Sequence, residues 1–228
     1  MTDAPRIVIL GGHGKVAQLL APKLVEGGFA VDSLIRDPDQ KADIEKTGAS
    51  PVVLDIEHAD EAALADAFRG AEAVVFSAGA GGGDADRTDA VDRQAAIRSM
   101  NAAKAAGVAR YVMVSYATAA QDASRLDPSD DFHPYASAKN DADEHLRSSG
   151  LDWTILGPGM LTLEDSTGTV ALADETGEVL PEWSSDLEKQ TSRELVADVI
   201  AHVIREHAAA GKKINVYDGP TPIAEAIV

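Results

Sequence analysis

The chain contains no cysteine. That excludes a disulfide framework, a thiolate nucleophile and a cysteine-based metal site. Aromatic residues are scarce, at 4%, and cations are outnumbered: 20 Lys and Arg stand against 38 Asp and Glu, a formal net charge of −18. Such a surface is repelled by phosphate backbones and anionic lipid heads, so general nucleic-acid or membrane-surface binding is not expected. A bound nucleotide remains compatible, because backbone N–H groups and one or two local cations suffice to hold it. Long apolar runs are also missing. Ile7–Leu10 is short against the roughly 20 residues of a membrane span, and Met1–Pro5 has no basic or apolar leader pattern. The expected location is the cytoplasm. The six histidines show no metal-ligand spacing with carboxylates, so no metal is expected.

Against these absences stands an ordinary globular balance, 45% hydrophobic and 25% charged over 228 residues. The length suits one domain, 1–228. Short β-branched runs alternate with helical patterns. Strands are expected at Arg6–Leu10, Ala30–Ile35, Val52–Leu54, Ala73–Ser77, Tyr111–Ser115, Trp153–Leu156 and Ile214–Tyr217, the last in the chain. Helices are expected at Val16–Glu26, Pro38–Thr47, Asp60–Phe68 (Asp60 as N-cap), Asp89–Ala106, Pro134–Ser148 and Ser192–His207. Gly79–Gly83 and the polar stretch 116–133 read as loops. Residues 157–190 show no clear period and suit a small substrate-side insertion. This alternation implies right-handed βαβ units, hence an α/β fold with a doubly wound parallel sheet and helices on both faces.

The first strand runs into Gly11-Gly12-His13-Gly14-Lys15-Val16-Ala17. Glycines spaced as Gly11-x-x-Gly14-x-x-Ala17 between a strand and a helix suit a dinucleotide. Gly11 permits the tight turn, Gly14 lets a pyrophosphate approach the backbone, and Ala17 lets the helix pack close to the sheet. Arg36 follows the second strand, where a cation suits a 2′-phosphate, and Lys15 lies in the loop facing the same region; together they favour NADP, with NAD still possible. Asp37 beside Arg36 weakens that preference, and both cations could instead be solvated surface residues. Asp55, with Ile56 after it, could accept from an adenine amino group or cap the following turn. Ser77-Ala78-Gly79 offers small residues on which a cofactor ribose could lie, or a plain glycine-rich loop.

Tyr135 and Lys139 stand at i and i+4 on one helical face, and Ser115 closes the fifth strand at the carboxyl edge, where ligands bind in such sheets. Hydride transfer to a carbonyl leaves an alkoxide that needs a proton. A phenol can supply it if an ammonium lowers its pKa, and a serine hydroxyl can orient the carbonyl oxygen. The competing reading is a surface Tyr and Lys flanking a core serine. Asp141, Asp143 and Glu144 read as a solvated helix face. His133 and Tyr116 lie near this set without an assigned role.

These motifs resemble the atypical short-chain dehydrogenases/reductases of the NmrA-like and NAD(P)H-binding epimerase/dehydratase-like kind. The similarity runs nearly end to end. It is carried by Gly11–Ala17, Arg36-Asp37-Pro38, Leu54-Asp55-Ile56, Phe76–Gly79, Val91-Asp92, Tyr111–Ser115, Tyr135–Lys139, Gly157-Pro158-Gly159 and the closing Asp218–Ile223. The resemblance implies a Rossmann fold, NADP preference and Ser/Tyr/Lys chemistry on Ser115, Tyr135 and Lys139. It also implies cofactor contacts at Gly11, Gly12, His13, Gly14, Lys15, Val16, Arg36, Asp55, Ile56, Ser77, Ala78, Gly79, Lys139, Pro158 and Gly159. Two positions depart from the family: Asp92 stands where Asn is frequent, and Gly157 where Arg precedes Pro-Gly. Some relatives have lost the active-site residues and act as cofactor sensors. Two readings follow: an NADP-dependent oxidoreductase or epimerase acting on a small carbonyl compound, or a non-catalytic dinucleotide-binding redox sensor.

Overall fold

The computed structural model describes residues 4–81, 84–180 and 188–228. The expectations for Met1–Pro5, Gly79–Gly83 and 157–190 lie in part outside the described residues, at 1–3, 82–83 and 181–187.

The first half alternates as the hydrophobic pattern requires: β1 (Arg6–Leu10), α1 (Lys15–Glu26), β2 (Ala30–Ile35), a 3-10 turn at Pro38–Gln40 entering α2 (Lys41–Lys46), β3 (Ser50–Val53), α3 (Glu61–Phe68) and β4 (Ala73–Phe76). Asp60 caps α3, its carboxylate accepting from the Ala63 N–H at 2.8 Å. After the glycine loop the chain forms α4 (Ala85–Thr88), a π-helical segment (Asp89–Ala95) and α5 (Ala96–Ala105). This helical run starts four residues before the expected Asp89, because Asp84 caps it by accepting from the Arg87 N–H. Then follow β5 (Arg110–Val114), α6 (Ala119–Arg125), α7 (His133–Ser148), β6 (Asp152–Pro158), β7 (Met160–Thr162), β8 (Thr169–Ala173), β9 (Gln190–Ser192), α8 (Arg193–Arg205), β10 (Lys212–Asp218), β11 (Thr221–Pro222) and α9 (Ile223–Ala226).

The main sheet has the order β11-β8-β10-β6-β5-β4-β1-β2-β3. From β3 to β10 all neighbours are parallel, while β8 and β11 pair antiparallel at the edge. Alternate residues of β1 face opposite layers. Ile7 and Ile9 join the core beneath α1 and α8, and Val8 and Leu10 join the core beneath α3, α5 and α7. Both faces are therefore covered, as a parallel sheet demands. Among the described residues no helix is long and apolar enough to cross a membrane.

Four expectations are corrected. Residues 116–133 are not all loop: α6 forms there and packs on α7, with Ala119 and Asp122 buried. Its polar composition conceals a helix whose few buried positions are Ala and Asp. The aperiodic stretch 157–190 holds β7, β8 and the start of β9, strands too short to show a period. Ile214–Tyr217 is not the last element, since β11 and α9 close the chain against β8. Asp143 is not on a solvated face. It is 1% exposed and its Oδ2 lies 2.9 Å from the Nζ of Lys213 on β10, a side chain that is 6% exposed. The helix pattern placed Asp143 beside Asp141 and Glu144 in sequence, but α7 turns it toward the sheet.

Breaking a buried ion pair from one side leaves an uncompensated charge, at a cost of about 3–5 kcal/mol. Lys213→Met is therefore expected to lower Tm by roughly 6–20 °C, at about 2–4 °C per kcal/mol for a chain of this size. Asp143→Leu combined with Lys213→Met should recover most of the loss in a thermal melt. A single variant as stable as the parent would contradict the pairing.

Candidate functional site

The turn from β1 to α1 is shaped by three glycines with different reasons. Gly11 has φ +77°, and a Cβ there would lie 2.7 Å from the Ala78 backbone, so both conformation and contact require glycine. Gly12 donates to the Leu34 carbonyl at 2.9 Å and abuts Ser33, where a Cβ would lie 2.6 Å away. Its role is to wedge the turn against β2. Gly14 is the N-cap of α1, with extended backbone and no side-chain cap. The first-turn N–H groups of α1 thus have neither helical nor side-chain acceptors, the arrangement that receives an anion. Val16 and Ala17 are buried under this turn.

A cleft of about 220 Å³ opens beside it, at the crevice between β1 and β4. Gly11, Gly14, Ser77, Ala78 and Gly79 form its floor, while His13, Arg36, Asp55 and Ile56 stand around it. Arg36 is exposed and makes no ion pair or hydrogen bond among the described residues. His13 points its imidazole at Asp43, 3.2 Å away. Asp55 caps its turn by accepting from the Glu57 N–H at 3.0 Å, and also meets the His58 imidazole at 2.9 Å. Burial works against its charge, but His58 and the Glu57 N–H outweigh that and hold the carboxyl below its usual range. Arg87, which carries no sequence signal, also lines the cleft and donates to the Ala80 carbonyl at 2.8 Å.

Three sequence candidates lie elsewhere. Lys15 is exposed beside Leu163 and Glu164, apart from Arg36. Pro158 and Gly159 do not line the cleft: the Pro158 carbonyl accepts from the Ala117 N–H, and the Gly159 N–H donates to Thr191 Oγ1 at 2.9 Å. At Gly157 a Cβ would collide with the Asn215 side chain, which accounts for the absence of arginine there.

Ser115 follows the last residue of β5 and keeps the ladder going, its N–H donating to the Leu156 carbonyl at 2.8 Å. Its hydroxyl is buried without a hydrogen-bond partner among the described residues. Lys139 reaches the same strand end from α7, donating to the Val114 carbonyl at 3.0 Å. Its ammonium also lies 3.3 Å from Asp92 Oδ1 and 5.9 Å from the centre of the Tyr135 ring. Asp92 is 1% exposed and sits in the π-helical segment. Its other oxygen accepts from the Ala80 N–H at 3.1 Å. Burial opposes the charge on Lys139, but Tyr135, Asp92 and Asp143 outweigh it and hold its pKa above the usual lysine value. Burial likewise pushes the Tyr135 phenol up; Lys139 pulls it down, while Asp92 and Asp143 push it up.

Tyr135 stacks on Tyr116, centroids 5.5 Å apart, and tilts against Phe132 at 5.4 Å. This cluster was invisible in sequence because its members come from two separate segments. Tyr135 and Phe132 form part of the wall of a second cavity, of about 740 Å³, which shares Gly79 with the first.

Comparison with known proteins places this arrangement. A family model described as NAD(P)H-binding matches residues 11–207. The uncharacterized sugar epimerase YhfK of Bacillus subtilis is 33% identical over 225 residues, covering 97% of this chain and 98% of that protein. A solved structure from Bacillus halodurans, assigned by name to the NAD-dependent epimerases/dehydratases, is 33% identical with a TM-score of 0.83 over 98% of each chain. The oxidoreductase ylbE of Lactococcus lactis is 26% identical with a TM-score of 0.81, over 97% of this chain and 94% of that one.

The charges around Tyr135 have opposite signs of effect. A neighbouring cation stabilises the phenolate and an anion destabilises it. Lys139→Met should therefore raise the Tyr135 pKa further, and Asp92→Asn should lower it. NMR titration of ring-labelled tyrosine reads both, and shifts of the reverse sign would contradict the arrangement.

Proposed function

The chain belongs to the NAD(P)H-binding family, and from that premise we propose that it is an NADP-dependent oxidoreductase or epimerase acting on a small carbonyl compound. The observation that carries this reading is the buried Lys139–Asp92 pair, set against the face of Tyr135 and hydrogen-bonded to the carbonyl that precedes Ser115. A merely structural Tyr and Lys would not need a charged group enclosed at the carboxyl edge of the sheet.

The cradle at Gly11 and Gly14 and the uncapped start of α1 fit a pyrophosphate. Arg36, which makes no ion pair or hydrogen bond among the described residues although it stands in the field of Asp55, fits a ribose 2′-phosphate; NAD would leave it without that contact. Bound NADPH supplies the hydride. The Ser115 hydroxyl donates a hydrogen bond to the substrate carbonyl oxygen and orients it. Tyr135 gives its proton to that oxygen as negative charge builds there, and the Lys139 ammonium stabilises the phenolate left behind. Asp92 holds Lys139 charged and in place. In the free protein burial holds the phenol above its ordinary value; Lys139 pulls it down and so favours release of the proton, while Asp92 and Asp143 oppose that. The whole chain, 1–228, acts as one domain; among the described residues none of 157–190 lines the cavity beside Tyr135.

Two variants test the reading. Tyr135→Phe removes only a hydroxyl, so NADPH should bind as before while turnover falls about 10²–10⁴-fold, the usual contribution of a general acid. NADPH binding without turnover by the parent protein on any carbonyl compound would leave the cofactor-sensor reading instead. Arg36→Ala removes a charge-assisted contact of about 1.5–3 kcal/mol, so NADPH affinity should drop roughly 10- to 100-fold and NADH affinity hardly at all. Equal affinity of the parent for both cofactors, measured by titration, would sink the NADP preference.

A further inference from the structure

The second cavity has a distinct electrostatic character. Among its described lining residues are three carboxylates, Asp84, Asp130 and Asp131, and no Lys, Arg or His. Asp84 and Asp130 are held by local turns, accepting from the N–H groups of Arg87 and Phe132 at 2.8 Å each. Asp131 is exposed and makes no contact of this kind among the described residues. The first cleft differs: beside its own carboxylates, Asp55 and Glu57, it carries two cations, Arg36 and Arg87, and the open start of α1. The two cavities meet at Gly79. Among the described lining residues, cationic side chains thus occur only on the first cleft's side of that glycine.

The second cavity also presents aromatic surface. In a chain with only 4% aromatic residues, Tyr116, Phe132 and Tyr135 pack together, and Phe132 is left 45% exposed. An exposed ring beside a wider cavity offers a face for stacking, and its quadrupole attracts a cation.

We infer that this cavity takes the substrate, and that the substrate is an uncharged or cationic carbonyl compound with a planar, apolar face. A phosphorylated or nucleotide-linked sugar is excluded, since its negative charges would meet three carboxylates and no counter-cation among the described lining. This inference rests on the reading of Tyr135 as proton donor, because Tyr135 is in the cavity wall.

The test uses three matched aldehydes: 4-(hydroxymethyl)benzaldehyde, its 4-trimethylammonio analogue and its 4-sulfo analogue. Binding to the NADP⁺-loaded protein is followed by ligand-observed NMR, and turnover with NADPH by absorbance. The neutral and cationic probes should bind about tenfold or more tightly than the sulfonate, the combined effect of several partly exposed like charges. That margin should shrink at about 1 M salt, where the Debye length falls to ~3 Å. Because the whole chain is acidic, a local control is needed. Asp131→Lys should relieve most of the discrimination against the sulfonate, whereas Glu206→Lys, an equal change of net charge at the end of α8 and outside the cavity, should not.

A sulfonate bound as well as the neutral probe overturns the inference, as does failure of all three to bind. Equal effects of Asp131→Lys and Glu206→Lys overturn it too. If the binding order holds but no probe is turned over, the catalytic reading falls and the assignment of the cavity stands.

Discussion

A lysine ammonium taken out of water has to be neutralised where it sits, and the arrangement of this site follows from that requirement at Lys139. Its partners come from three separate elements: the Val114 carbonyl at the end of β5, the Asp92 carboxylate in the π-helical segment and the Tyr135 ring one turn back on α7. None can be withdrawn without leaving charge or a polar atom uncompensated. The pair therefore docks α7 onto the sheet edge at the one place where Ser115 emerges. The π-helical segment has its explanation here as well, since it carries Asp92 with Val91 and Ala95 into the interior.

Asp92 also extends the network outward. Its second oxygen holds the Ala80 N–H, next to Gly79, which borders both cavities. The cleft beside the β1–α1 turn, the wider cavity and the buried charge are thus tied through one carboxylate. Where the wider family often has Asn, an anion here serves Lys139 and the loop at once. The buried pair of Asp143 and Lys213 repeats the device one turn further along α7, joining that helix to β10, and Asp143 adds its negative charge to the field at Tyr135.

A protein with a net charge of −18 that binds an anionic dinucleotide must create positive potential locally. The start of α1, which no side chain caps, and the Arg36 and Arg87 side chains bring positive charge to the first cleft. On the far side of Gly79 the described lining holds carboxylates and no cation. The two cavities therefore differ in charge although both are lined by Gly79.

Local chemistry was enough to read most of the frame. β-branched runs, glycine stops and the Asp60 cap are nearest-neighbour effects, and they marked the alternating strands and helices and the β1–α1 turn directly in the sequence. The Tyr135–Lys139 spacing was legible for the same reason, because i and i+4 share a helical face whatever surrounds them. The rest depended on contacts between distant segments. Whether Lys15 joins Arg36, whether Pro158 and Gly159 reach the cleft, and whether Asp143 meets water are questions of packing across the sheet. The aromatic cluster joins residues on either side of α6, a helix that polar composition hid. Asp92 was noticed only as a departure from a pattern. Its partnership with Lys139 exists because the sheet brings β5, α7 and the π-helical segment to one edge, and a buried charge is stable only where such an encounter completes its neutralisation.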